Sequence, residues 1–251
     1  MDDRPVFDRM ITFIICYSIV LHLSSSLPLI SIPIRKHTAN RRVLHLAGPD
    51  SDSGATELTN CNLKMWYGEI CIGSPSKSCF NVGFDTGSSD TWVPAVSLPK
   101  TSPYDLSRFD PGSSSSYKQT GEDFKITYAD GSEASGISGE DTLTWTSFGL
   151  TIPGQKFGLV DSLEQSMQCG ETDGMLGLAF SSLAYNHHPT PFENLSPSLQ
   201  YPMFSFYLDD EPDSNNSELF LGGVNQKYYE VSRFLFVTCS PLEGSRSLTC
   251  N

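Results

Sequence analysis

The sequence predicts an all-β protein, and three observations carry that prediction. Apolar and β-branched residues come in short runs that alternate with polar ones, Gly/Ser/Pro clusters separate the runs, and no long stretch carries helical apolar spacing. With 251 residues the chain is long enough to bury a sizeable core in one or two domains.

Taken in order, the strand signals begin near Trp66. Ile70-Cys71-Ile72 and Phe80-Asn81-Val82-Gly83-Phe84 flank Gly73-Ser74-Pro75, which reads as a turn between two strands. Asp110-Pro111-Gly112 followed by Ser113 to Ser116 is a surface loop. Phe124-Lys125-Ile126-Thr127-Tyr128 alternates with period two, and Thr142-Leu143-Thr144-Trp145 is rich in β-formers. Beyond Val237, the segment from Cys239 to Asn251 has no strand pattern.

The net charge of −13 is unevenly spread. Residues 24–49 carry Arg35, Lys36, Arg41 and Arg42 with no acid, whereas the chain from Asp50 onward holds 26 acidic and 10 basic residues. An acidic body repels phosphate, which argues against nucleic acid as a partner, and it suits work in acid, where carboxylates lose charge.

The run from Ile11 to Leu23 is apolar, preceded by Arg9 and followed by Ser24-Ser25-Ser26. That is the layout of a secretory signal, and the run is short for a membrane span. A membrane enters the expectation only through an uncleaved signal. Outside this run stand six cysteines, Cys61, Cys71, Cys79, Cys169, Cys239 and Cys250, an even number that favours disulfides in an oxidising compartment. Cys71 and Cys79, on either side of the Gly-Ser-Pro turn, are the preferred pair. The histidines show no ligand spacing with these cysteines, so no metal and no cofactor is expected.

The chemistry concentrates in Phe84-Asp85-Thr86-Gly87-Ser88-Ser89, extended by Asp90-Thr91-Trp92-Val93-Pro94. An aspartate leaves an apolar strand into a turn where glycine lets backbone N–H groups approach the carboxylate and Ser88 can reach its outer oxygen. Downstream come Tyr128-Ala129-Asp130-Gly131-Ser132, then Asp173-Gly174-Met175-Leu176-Gly177-Leu178, then Phe204 to Leu208 and Glu218 to Val224. These pieces, between about residues 66 and 231, resemble in kind and in order the N-terminal lobe of the pepsin-like aspartic proteases.

The resemblance implies a pepsin-like acid protease fold with the N-terminal lobe essentially complete and the start of the C-terminal lobe. Asp85 is then one catalytic carboxylate, supported by Thr86, Gly87 and Ser88. Tyr128, Asp130, Gly131 and Ser132 form the flap that closes over substrate, with the tyrosine bonded to Trp92; Ala129 stands where the family usually has glycine. The Asp173 to Leu178 element packs behind the catalytic loop.

Leu29 to Lys36 resembles the start of a family propeptide, in which a basic side chain pairs with the catalytic carboxylates at neutral pH and leaves on acidification. Lys36 or Arg35 is the plug on that reading. The implied organisation is a signal peptide or anchor over 1–26, a basic propeptide and linker over 27–62, the N-terminal lobe over 63–208, and a truncated start of the second lobe with a divergent tail over 209–251.

The family's reaction needs two carboxylates, and the Asp-Thr-Gly loop occurs once. Asp52-Ser53-Gly54 follows Gly48-Pro49 and lacks an apolar strand before it. The expected function is aspartic endopeptidase activity on peptide or protein substrates, with an acid optimum, along the secretory route to the exterior or a vacuole or lysosome. Three rivals stand beside it: a catalytically inactive peptide-binding module, a homodimer in which two copies of Asp85 form the pair, and a truncated product that does not fold stably alone. A serine triad is excluded by the lack of a Gly-x-Ser-x-Gly elbow, since His187 and His188 lie in a Pro-rich loop.

Overall fold

A computed structural model describes residues 13–14, 30–36, 66–100, 105–145, 150–164, 167, 172–208, 217–228, 239–241 and 248–250. Its strands are β1 (Phe13–Ile14), β2 (Ile30–Pro33), β3 (Arg35–Lys36), β4 (Trp66–Ile72), β5 (Ser78–Asp85), β6 (Trp92–Pro94) and β7 (Lys118–Thr127). They continue with β8 (Glu133–Trp145), β9 (Leu150–Leu163), β10 (Gly174–Gly177), β11 (Phe204–Tyr207), β12 (Glu218–Leu221), β13 (Cys239–Pro241) and β14 (Leu248–Cys250). The all-β expectation is borne out. The single α-helix among the described residues, α1 (Pro191–Leu195), is five residues long.

Eight strands form one sheet in the order β3-β4-β5-β10-β6-β9-β8-β7. β4 also pairs with β8, Ile70 opposite Trp145 and Ile72 opposite Leu143, so the sheet folds back on itself and covers strand edges that would otherwise stay open. The β4–β5 hairpin places Cys71 opposite Cys79, and the two are joined as a disulfide with Cα atoms 4.0 Å apart.

Alternation along these strands builds the core. In β4 and β5, Ile70, Ile72, Phe80 and Val82 are buried, and Trp145 of β8, 1% exposed, stacks on Phe84 at 5.9 Å between ring centroids. A second apolar cluster, with Trp92, Phe124, Ala134, Val160 and Met175, lies under the β7–β8 hairpin and includes Tyr128 at its margin.

The second sheet has the order β1-β11-β12-β2. Leu219 of β12 faces Ile32 of β2, and the Ile34 N–H donates to the Ser217 carbonyl at 2.9 Å before β3 joins β4. Ile32 and Ile34 are each 1% exposed and belong to the main core cluster. The segment that reads as a propeptide is thus woven into both sheets.

Helix α1 starts where its first turn is capped from both directions. The Thr190 hydroxyl accepts from the Glu193 N–H at 3.1 Å, the Glu193 carboxylate accepts from the Thr190 N–H at 3.0 Å, and Pro191 supplies a favourable first position. Its other carboxylate oxygen takes the Ser181 N–H and hydroxyl, both at 3.1 Å, which ties the helix to the preceding loop.

Candidate active site

Asp85 is the last residue of β5 and half-buried. Both its carboxylate oxygens are engaged: the Gly87 N–H donates to Oδ1 at 2.8 Å and the Ser88 hydroxyl donates to Oδ2 at 2.5 Å. Two short bonds from the next three residues fix the carboxylate plane. Thr86 sits between them in the turn, half-buried.

The turn is held from behind by β10. This strand runs parallel to β5, with Gly174 opposite Val82 and Gly177 opposite Asp85, and its Met175 pairs with Trp92 of β6 on the other side. The Leu178 N–H then donates to the Asp85 carbonyl at 2.8 Å, and the Ala179 N–H to the Ser88 carbonyl at 3.0 Å. Ser89, 3% exposed, donates its hydroxyl to the Phe180 carbonyl at 2.6 Å.

Over this loop lies the β7–β8 hairpin. Its turn is closed by the Tyr128 N–H on the Ser132 carbonyl and the Gly131 N–H on the Tyr128 carbonyl, both 2.9 Å. Gly131 has φ +86°, a conformation that glycine adopts without penalty. Asp130 is exposed, and its Oδ1 accepts from the Ser132 N–H at 2.9 Å and the Ser132 hydroxyl at 2.7 Å. The bonds to Ser132, side chain first, hold the Asp130 carboxyl below its usual range.

Tyr128 joins flap to floor: the indole N–H of buried Trp92 donates to its hydroxyl at 2.9 Å. The ring is half-buried with the hydroxyl at its enclosed end. Desolvation of that hydroxyl pushes its pKa up, and the charges of Asp85 and Asp90 push the same way, so Tyr128 stays a neutral phenol.

Arg35 and Lys36 fall in β3, opposite Tyr67 and Trp66, with Arg35 exposed. Cys61, Cys169 and Asp52 lie outside the described residues. The grouping of Glu69 with Cys71 and Cys79 offers no metal site, because the two sulfurs are bonded to each other.

Sequence reasoning missed a strap behind the flap. The Tyr185 N–H donates to both oxygens of Asp90, each at 3.1 Å, while the Asn186 side chain donates to the Asp123 carbonyl and the Ser138 hydroxyl, each at 3.0 Å. His188 meets Glu122 at 2.8 Å. These partners are up to 95 residues apart, and no local pattern announces them.

A carboxylate at a strand end, pinned by the following glycine and serine, braced by a parallel Gly-x-x-Gly strand and overhung by a tyrosine flap, defines an aspartic-protease-type loop. The family model for eukaryotic aspartyl protease matches residues 65–241, and the chain belongs to that family. Similar proteins include gastricsin of Callithrix jacchus, 36% identical over 167 residues, which are 65% of this chain and 42% of the relative. Rhizopuspepsin of Rhizopus chinensis is 34% identical over 202 residues, 79% of this chain and 49% of the relative. Cathepsin E of Rattus norvegicus is 34% identical over 225 residues, 80% of this chain and 56% of the relative. The chain thus spans about half the length of the curated relatives it matches.

Proposed function

We propose that this chain is the N-terminal lobe, with its leader, of an aspartic endopeptidase of the secretory route that works in acid. The observation that carries the reading is Asp85, its two oxygens fixed by Gly87 and Ser88 beneath the Tyr128 flap. Asp85 supplies one of two carboxylates, and a second lobe or a second copy of this chain supplies the other. One carboxylate takes a proton from the water between them as the water oxygen attacks the peptide carbonyl carbon. The other carboxyl gives its proton to the carbonyl oxygen. Collapse of the tetrahedral intermediate breaks the C–N bond as the nitrogen is protonated, with no covalent enzyme intermediate.

In this proposal Tyr128 closes over the peptide and, being neutral, adds no charge to the cleft. Arg35 or Lys36 pairs with the carboxylates before activation, and acid releases the pairing.

The test is cleavage of a denatured protein substrate at acid and neutral pH by a reconstruction carrying both carboxylates, with and without a transition-state peptide inhibitor, beside Asp85→Ala in the same protein. Acid-dependent, inhibitor-sensitive cleavage abolished by the substitution is the expected result. A folded chain that binds the inhibitor without turnover would instead be a peptide-binding module.

A further inference from the structure

We infer that Asp173 is a positioning residue that sets the Asp85 carboxylate through strand β10. This rests on the reading of Asp85 as a catalytic carboxylate.

Asp173 is 8% exposed, and its two oxygens are taken by backbone donors from two separate segments. The Ser107 N–H donates to Oδ1 at 2.6 Å and the Asn81 N–H to Oδ2 at 2.8 Å. The Asp173 N–H returns a bond to the Asn81 carbonyl at 2.7 Å. A closed pair with Asn81 therefore docks this residue on β5, four positions before Asp85, while the second oxygen holds the loop before Arg108.

Strand β10 begins at the next residue and transmits that docking. It is four residues long, so its ends are about 10 Å apart at the usual rise. It has no lateral freedom: a Cβ on Gly174 would lie 2.2 Å from the Trp92 carbonyl oxygen, and one on Gly177 2.3 Å from the Ser89 carbonyl carbon. Wedged sideways, the strand is set lengthwise by what holds its start. Its far end carries Gly177 opposite Asp85 and the Leu178 N–H on the Asp85 carbonyl.

Two converging N–H donors need two acceptors. A carboxylate provides both, whereas an amide in its place turns an NH2 toward one of them, leaving two donors face to face. Burial raises the Asp173 carboxyl, and the two backbone donors and Arg108, its guanidinium held by the Leu106 and Leu98 carbonyls at 2.7 and 3.4 Å, act against that.

The test uses the 251-residue chain with 13C-labelled aspartate carboxyls, titrated by NMR as wild type and Asp173→Asn. Loss of the Asp173 charge acting directly lowers the Asp85 midpoint, whereas loosening of the Gly87 and Ser88 donors raises it, so the sign of the change separates the two. In a variant that keeps its thermal transition, the Asn81 and Ser107 amide protons lose their hydrogen-bonded shifts and the Asp85 midpoint rises by about 0.5 pH unit or more. An Asp85 midpoint that stays put or falls in the folded variant overturns the inference.

If the variant does not fold, the wild type decides. Its Asp85 carboxyl shift shows a second inflection where the Asn81 and Ser107 amides titrate, and absence of that inflection overturns the inference equally. Cleavage by a reconstruction carrying both carboxylates, with and without Asp85→Ala, is scored separately. A coupled titration without cleavage therefore sinks the catalytic reading alone.

Discussion

Gly177 of β10 lies directly opposite Asp85 of β5, and the space beside it is filled by the Ser89 backbone, 2.3 Å from where a Cβ would stand. Backbone cannot move aside as a side-chain tip can. Gly177→Ala is expected to destabilise the chain by about 1–3 kcal/mol, the usual cost of overpacking, and to disturb the Ser88–Asp85 bond in whatever folded population remains. Denaturant unfolding measures the first effect. The carboxyl resonance of Asp85 reports the second.

The Trp92–Tyr128 bond is the polar link between floor and flap. Trp92→Phe keeps an aromatic ring but removes the indole donor to the Tyr128 hydroxyl, at the cost of about 1 kcal/mol. Faster amide exchange at Gly131 and Ser132, with smaller changes along β9, is the expected signature. Uniform acceleration across the sheet would show that the substitution acts on the whole core instead.

Burial raises the Asp173 carboxyl, with the Ser107 and Asn81 donors and Arg108 only partly opposing it. For a folded pKa above the unfolded one, the contribution to stability is fully present below the unfolded value and is lost as pH rises through the folded value. The wild type should therefore gain thermal stability on acidification from neutral pH through that window, relative to Asp173→Asn. Glu133 has the opposite sign, since its bonds to Lys125 and Thr127 hold it low and their contribution fades as pH falls through its folded value. A melting series from pH 7 downward on both proteins separates the two. Parallel curves for wild type and variant would contradict the assignment to Asp173.

Asp130 keeps Oδ1 for Ser132 and stands exposed at the flap tip, where a carboxylate can meet a cation on a bound peptide. In a reconstruction carrying both carboxylates, matched peptides with Lys or Leu before the scissile bond should differ in kcat/KM. Asp130→Ser should lower that ratio by about two- to fivefold, the worth of an exposed ion pair. A ratio that does not move excludes the contact.

Ile34 is 1% exposed within the main core, although it belongs to the basic segment ahead of the lobe. Ile34→Ala should cost about 2–5 kcal/mol, as for other buried aliphatic truncations. A loss under about 0.5 kcal/mol, the level of a surface change, would mean that this strand does not pack in solution as described.

The parts of this fold that were legible in the sequence are those whose signals are local. The turn at Gly73-Ser74-Pro75 between apolar runs gave the hairpin and with it the Cys71–Cys79 disulfide. The alternation from Phe124 to Tyr128 gave the flap strand β7. Asp85 was legible because strand, turn glycine and serine are contiguous. Thr190-Pro191-Phe192-Glu193 carries a readable helix start that the surrounding Pro-rich loop obscured. The clamp of Asp173 on Asn81 and Ser107 could not be read, since its donors are backbone groups 92 and 66 residues away. Nor could the burial of Ile32 and Ile34, which depends on Ser217 and strand β12 far downstream in the sequence.

That last pairing bears on the order in which the molecule can be made. Ile32 leaves the ribosome long before its strand partner Leu219, which lies far downstream in the sequence. Until then two bare isoleucines and an unpaired strand wait for a neighbour that does not yet exist. Contacts so distant along the chain slow folding and lengthen the exposure of sticky surface, so this sheet waits on a segment made much later and a chaperone has time to act meanwhile.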